Sequence, residues 1–249
     1  MVLRTYGDVT MFARSYGDGP PRVVWLHGWA RRGEDFAACA RAAADVGIAS
    51  LVVDLPGFGS SPPPARSGGA RYYAELVAPV LEQCADHPVI VGHSFGGRVA
   101  TVLAATEPDR VGALVLSGVP LLREGHTAAA PRAYRAVRWL HRRGVVSDAR
   151  LEAARQKYGS TDYRRATGVM RDVLVASVNE DYRDELARLR LPVALVWGER
   201  DEVVDPSVAR RAADVIGPSA RVTIVAGVGH LVPTAAPEEL VRALVTVLT

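Results

Sequence analysis

Ser94, Asp201 and His230 occur in an order and in surroundings that suit nucleophilic catalysis. Ser94 lies in Gly92-His93-Ser94-Phe95-Gly96, directly after the apolar run 89–91 and before a stretch rich in Ala and Val that continues to Ala105. The G-x-S-x-G pattern is weak alone and gains its weight from lying between a predicted strand and a predicted helix. Such a turn holds the serine in a strained backbone, and glycines two positions to either side let neighbouring chain pass without a Cβ clash. The hydroxyl then stands at a helix N-terminus, whose amides face developing negative charge. A serine hydroxyl is a poor nucleophile at neutral pH and needs an imidazole base and an orienting carboxylate. Asp201 follows Trp197-Gly198-Glu199-Arg200, and His230 follows the run 222–225 through Ala226-Gly227-Val228-Gly229. Each lies just past the carboxyl end of a predicted strand, where open α/β sheets place their sites. The chemistry this implies is acyl transfer to water.

That chemistry also needs an oxyanion hole. His27-Gly28-Trp29-Ala30 occupies the loop after an earlier apolar run, and the backbone N–H groups of Trp29 and Phe95 are the expected donors. Losing one such donor typically costs about a hundred- to a thousand-fold in rate. The rivals read as structural. His27 and His93 sit inside the glycine turns, while His87, His126 and His141 have no strand-end context. Among the acids, Glu199, Glu202 and Asp205 neighbour Asp201, but Asp205 precedes Pro206 and reads as a helix cap. Asp54 reads as a turn former bonded to its own loop.

The elements that must carry these residues are short, continuous apolar runs at 23–26, 51–53, 89–91, 113–116, 194–197 and 222–225. Continuous apolar character suits strands buried on both faces of a parallel sheet. Ahead of them, Val2–Tyr6 and 10–16 flank a Gly7-Asp8 turn signal and read as an antiparallel edge hairpin. Helical patterns at 33–46, 70–87, 95–107, 206–216 and 236–248 alternate with the runs, which predicts a doubly wound α/β sheet. From Pro120 to Leu191 no strand run appears. Pro131 opens one expected helix ending near Gly144, and Ser147 caps a second ending near Gly159. The chain therefore divides into a core of 1–120 and 191–249 and a helical insertion, 121–190.

The 249 residues are 49% hydrophobic and 23% charged, which excludes a disordered or collagen-like chain. The formal charge is +3, but residues 121–190 hold fourteen arginines and Lys157 against nine acids, a local net of +6. The excess belongs to the insertion. Without a continuous basic stripe or a reading module, a nucleic-acid partner is not expected. Arg135, Arg138 and Arg142, with Arg143, recur at helical spacing and are the lid residues that would meet an anionic substrate or acidic carrier; a solvated arginine-rich surface is the alternative. Trp29's indole would line the pocket or simply pack. Cys39 and Cys84 form no CxxC or Cys/His cluster, so neither a disulfide framework nor a zinc site is expected. Charges at Arg4, Asp8, Arg14 and Asp18 leave no room for a signal peptide, and no run of eighteen apolar residues occurs. A cytoplasmic location and no membrane association are the expectation.

Taken together, His27-Gly28-Trp29, Asp54-Leu55-Pro56-Gly57-Phe58-Gly59-Ser60, the serine turn, Gly198-Glu199-Arg200-Asp201 and Gly229-His230 resemble the α/β-hydrolase fold superfamily over nearly the whole chain. The first two segments are similar to carboxylesterases of that superfamily. The insertion's Tyr158-Gly159-Ser160-Thr161-Asp162-Tyr163-Arg164 resembles bacterial hydrolases of no assigned substrate. The resemblance implies an α/β-hydrolase fold with a mostly parallel doubly wound sheet, 121–190 as a lid, Ser94-Asp201-His230 as the triad and no metal or organic cofactor. It implies hydrolysis of a small carboxylic ester or related thioester, anionic or carrier-linked substrates included. Serine at the turn argues against dehalogenase and epoxide hydrolase readings, which use an aspartate there. A carbon-carbon bond hydrolase, a lyase, a perhydrolase or a non-catalytic ligand-binding homologue would use the same scaffold.

Overall fold

The structure, a computed structural model, describes residues 2–123, 132–158 and 160–249. Pro131, Gly159 and His126 lie outside the described residues. Eight strands, β1 (Val2–Tyr6), β2 (Val9–Tyr16), β3 (Val23–Leu26), β4 (Ser50–Asp54), β5 (Val89–His93), β6 (Ala113–Ser117), β7 (Val193–Gly198) and β8 (Ala220–Val225), form one sheet in the order β1-β2-β4-β3-β5-β6-β7-β8. β1 and β2 run antiparallel as the hairpin expected at one edge; from β4 to β8 every pairing is parallel.

The helices that serve the sheet are α1 (Ala37–Asp45), α2 (Ala70–Val77) and α3 (Phe95–Thr106). Between β6 and β7 come α4 (Arg132–Arg142), α5 (Asp148–Tyr158), α6 (Thr161–Arg165), α7 (Gly168–Asn179) and α8 (Arg183–Arg188). After β7 follow α9 (Ser207–Ile216), α10 (Val232–Ala235) and α11 (Pro237–Leu248). The strand runs from β3 to β7 are buried on both sides by alternation, whereas the run expected at 222–225 lies in edge strand β8, which is only partly buried because no described strand pairs with its outer side. Val24, Leu26 and Ile90 face one apolar cluster under α2, α3, α8 and α9, while Val23, Trp25, Val89 and Val91 face another under α1 and α11. Cys39 packs in the second cluster, where burial pushes its thiol up to about 12. It is an inert core residue.

Two differences from the sequence reading have local causes. The helix expected over 70–87 stops being α-helical at Val77 and continues as a tighter 3-10 turn over Ala78–Gln83, because Pro79 has no N–H for the α-helical ladder. The insertion carries five described helices rather than two. Tyr182, Leu186 and Leu189 bury themselves in the first core cluster, so α8 packs directly on α3 and α9.

Candidate active site

β5 ends at His93, and α3 begins at Phe95, leaving Ser94 alone to make the turn with φ 49° and ψ −112°. A left-handed serine costs about 1–3 kcal/mol and persists only where its surroundings over-determine it. Here they do. The Ser94 N–H donates to the Ser117 carbonyl at 2.9 Å, and the Gly96 N–H donates to the His27 carbonyl at 3.0 Å. A Cβ on Gly96 would run into the Leu26 carbonyl, and one on Gly92 would stand 2.5 Å from the Gly97 Cα. The two glycines flanking the serine are thus dictated by backbone passing backbone.

Asp201 and His230 meet although 29 positions apart, because β7 and β8 are adjacent parallel strands and both residues follow their carboxyl ends. His230 Nδ1 lies 2.8 Å from Asp201 Oδ2. The carboxylate side chain is fully buried and the imidazole 17% exposed. Asp201 Oδ1 accepts the Val203 and Val204 N–H groups at 2.9 and 2.8 Å, which fixes the carboxylate before the histidine arrives. Two of the rival acids are engaged elsewhere: Glu199 accepts the Gly227 N–H, and Asp205 accepts the Ser207 N–H. Asp54 accepts N–H groups of Gly33 and Ser60, the turn-forming task expected of it.

The His230 ring reaches Ser94's immediate neighbourhood. It packs on His93, with ring centroids 4.8 Å apart, and over Gly118, where a Cβ would lie 2.9 Å from His230 Cε1 and Nδ1. Gly118 has φ +57°. Among the described residues the Ser94 hydroxyl has no hydrogen-bond partner; catalytic contacts of this kind commonly tighten only when substrate binds. His93 is buried, and burial together with the neighbouring His230 lowers its pKa to about 3, so it stays neutral beside that ring.

Trp29 and Phe95 also come together. Their rings meet edge to face at 5.5 Å, and among the described residues neither backbone N–H is bonded. The loop carrying Trp29 is held by His27, whose Nδ1 lies 2.8 Å from the Gly28 carbonyl and whose Nε2 accepts the Leu55 N–H at 3.0 Å. The second bond requires the proton on Nδ1. Burial lowers the His27 pKa, keeping that tautomer neutral. A Cβ on Gly28 would sit 3.3 Å from the Ser94 Cβ, so the loop runs directly beside the serine. Phe58, Phe95 and Tyr73 extend the aromatic wall, and Tyr73 donates to the Pro56 carbonyl at 2.8 Å.

The insertion is fastened to this region by its α7–α8 end. Glu180 accepts the Ala70 N–H and the Tyr182 hydroxyl, Arg71 pairs with Glu185, and Arg98 donates to the Ser177 carbonyl at 2.7 Å. Arg135, Arg138 and Arg142 line one surface recess with Trp139 on α4, and Arg138 also borders a second cleft with Tyr134. Among the described residues no hydrogen bond links them to the Ser94 region. The sequence reading missed His93 as a ring under the base and Gly118 as the space above it. A glycine two residues past a predicted strand end was the available signal for the latter. Among the described residues no group of three His, Cys, Asp or Glu side chains forms a metal-holding cluster, and no helix is long and apolar enough to cross a membrane.

Known proteins resemble the chain over most of its length. It is 27% identical to the pimeloyl-acyl-carrier-protein methyl ester esterase of Salmonella typhi, covering 94% of this chain and 96% of that protein. The enzyme of the same name from Chromobacterium violaceum is 29% identical over 83% of this chain and 85% of its own. The bromoperoxidase of Bacillus anthracis shares the fold with a TM-score of 0.74, at 21% identity over 96% of this chain and 95% of its own. Residues 23–243 match the profile described as alpha/beta hydrolase family, spanning the Gly28 loop, the serine turn and the loops of Asp201 and His230. The chain belongs to the alpha/beta hydrolase family.

Proposed function

We propose that the protein is a serine hydrolase that cleaves a carboxylic ester or thioester through an acyl-enzyme, with Ser94 as nucleophile, His230 as base and Asp201 as its orienting carboxylate. The observation that carries this reading is the buried 2.8 Å contact between His230 Nδ1 and Asp201, formed beside a serine held at φ 49°. Asp201 keeps the proton on Nδ1, so Nε2 is free to take the Ser94 proton as Oγ attacks the carbonyl carbon. The N–H groups of Trp29 and Phe95 hold the tetrahedral oxyanion. His230 returns the proton to the departing alcohol or thiol. Water then attacks the acyl-enzyme by the same path, releasing the carboxylic acid and restoring Ser94.

In this reading residues 121–190 form a lid over the site. Curated relatives named for a carrier-linked methyl ester favour a substrate of the same kind. Arg135, Arg138 and Arg142, exposed on α4 around a recess of about 540 Å³, would meet an acidic carrier. Two free cysteines suit a reducing cytoplasm. The test is a fluorophosphonate probe and an activated aryl ester. Labelling and turnover by the wild type, both lost in Ser94→Ala, support the enzyme. No labelling of either identifies a ligand-binding homologue, and turnover of a vinylogous diketone in preference to esters identifies a carbon-carbon hydrolase.

A further inference from the structure

A cleft of about 280 Å³ opens beside the acid and base, between the core and the end of α7. Its walls come from chain already placed at the site. Pro120 and Leu122 follow Gly118, on which His230 rests, and Val203 and Val204 are the residues whose N–H groups hold Asp201. Val178 and Val203 form its rim and are 53% and 71% exposed. Arg123, Glu180 and Asp205 add charged walls, and the remaining contributor of note is Arg98. It lies one helical turn below the serine, its N–H bonded to the Ser94 carbonyl, which sets the two about 6 Å apart along the axis.

Arg98 is the floor of a cleft whose walls are part apolar and part charged. Its guanidinium is largely withdrawn from water, and burial lowers its pKa. Nη1 donates to the Ser177 carbonyl, while Nε is buried without any partner among the described residues. The carboxylates that share the cleft are engaged already: Glu180 by Ala70 N–H and the Tyr182 hydroxyl, Asp205 by Ser207 N–H. The Arg98 Nε donor is thus left without an acceptor among the described residues. Glu180 and the Tyr182 ring, 5.9 Å from Arg98 Cζ, favour the charged guanidinium, while Nε stays open, and a carboxylate matches its planar fork.

We propose that this cleft is a substrate subsite for a short apolar chain ending in a carboxylate, with Arg98 reading that carboxylate while Ser94 attacks the ester at the other end. The proposal rests on Ser94 being the nucleophile and adds the substrate class. The chain lies along Leu122, Val203 and Val204, and the rim valines bound its entrance.

The experiment compares kcat/KM for an aryl hemiglutarate, which carries the carboxylate on the acyl side, with the neutral aryl butyrate. A second pair places the carboxylate on the alcohol side, as the acetate ester of a hydroxy acid against a neutral alkyl acetate. The expected result is a preference for the anionic member of one pair that falls roughly tenfold to a hundredfold in Arg98→Gln, the range for a charge-assisted hydrogen bond, and recovers in part in Arg98→Lys. Because Arg98 also holds Ser177, Val203→Glu supplies an independent reading: a carboxylate at the exposed rim lowers the anionic-to-neutral ratio without touching that bond. Equal rates within both pairs, or ratios unmoved in both variants, overturn the proposal. Should no ester be cleaved, the nucleophile assignment fails separately. Glutarate binding by calorimetry then decides: binding to the wild type that is lost in Arg98→Gln supports the subsite, and no binding to the wild type overturns it.

Discussion

Replacing Asp201 with asparagine tests the orientation of the base more sharply than deleting it. Oδ1 of Asp201 accepts two backbone N–H groups, from Val203 and Val204, so an asparagine must keep its carbonyl oxygen on that side. Its amide NH2 then faces His230 Nδ1, at the position where Oδ2 now lies 2.8 Å away. A donor there forces the imidazole proton onto Nε2, and the nitrogen that should receive the serine proton becomes a donor. The geometry survives while the tautomer is inverted. An inversion of this kind lowers kcat by about ten-thousandfold, on the order of 5.5 kcal/mol of transition-state stabilisation. Two of the three carboxylate hydrogen bonds remain, so Tm should change little. The assay is steady-state hydrolysis of an activated aryl ester together with thermal melts, with Glu199→Gln as the comparison, since among the described residues Glu199 serves only the Gly227 N–H. Full activity in Asp201→Asn, or a loss as great in Glu199→Gln, would refute the reasoning.

Other perturbations separate shape from chemistry. Gly118→Ala brings a Cβ to 2.9 Å from His230 Cε1 and Nδ1, and kcat should fall about a hundredfold, as for an ångström-scale misplacement, with KM nearly unchanged. Ser94→Gly should abolish turnover yet raise stability by about 1 kcal/mol in urea titration, because glycine adopts φ 49° without strain. His93 gives stability a pH dependence. Its folded pKa of about 3 lies below the ordinary 6.5, so the unfolded chain binds more protons between these values and stability falls as pH drops through that window. Urea titrations from pH 7 to 4 should show His93→Gln flattening that slope by up to about 1.4 kcal/mol per pH unit. The His27 contribution, of the same sign, should remain.

What the sequence made legible is the part governed by local pattern. Apolar runs such as 89–91 and 194–197 became central strands because alternate residues bury on opposite faces of one sheet, and the strand ends brought Asp201 and His230 into contact. The roles of His27 and Asp54 as turn holders followed from their glycine-rich surroundings. The insertion was read poorly for a physical reason. α6 and α8 are too short for a helical period to register, and α8 declares itself only through Tyr182, Leu186 and Leu189 packing against distant chain. The Pro79 break in the 70–87 helix was available in the sequence and was overridden by the apolar pattern around it. Gly118 and Arg98 acquire meaning from what lies across space, His230 in one case and a cleft in the other.

The close passage of Gly96 beneath the Leu26 carbonyl reaches beyond the elbow itself. The strand that delivers Trp29 and the helix that delivers Phe95 touch backbone to backbone, joined by the Gly96 N–H bond to His27, with no side chain between them. Spacing between the two assigned amide donors is therefore set by main-chain thickness alone and is independent of residues 121–190. In the proposed reading, variation in residues 121–190 alters which molecules are admitted while the assigned amide pair keeps the same separation, so selectivity and reactivity are free to evolve on different parts of the polypeptide.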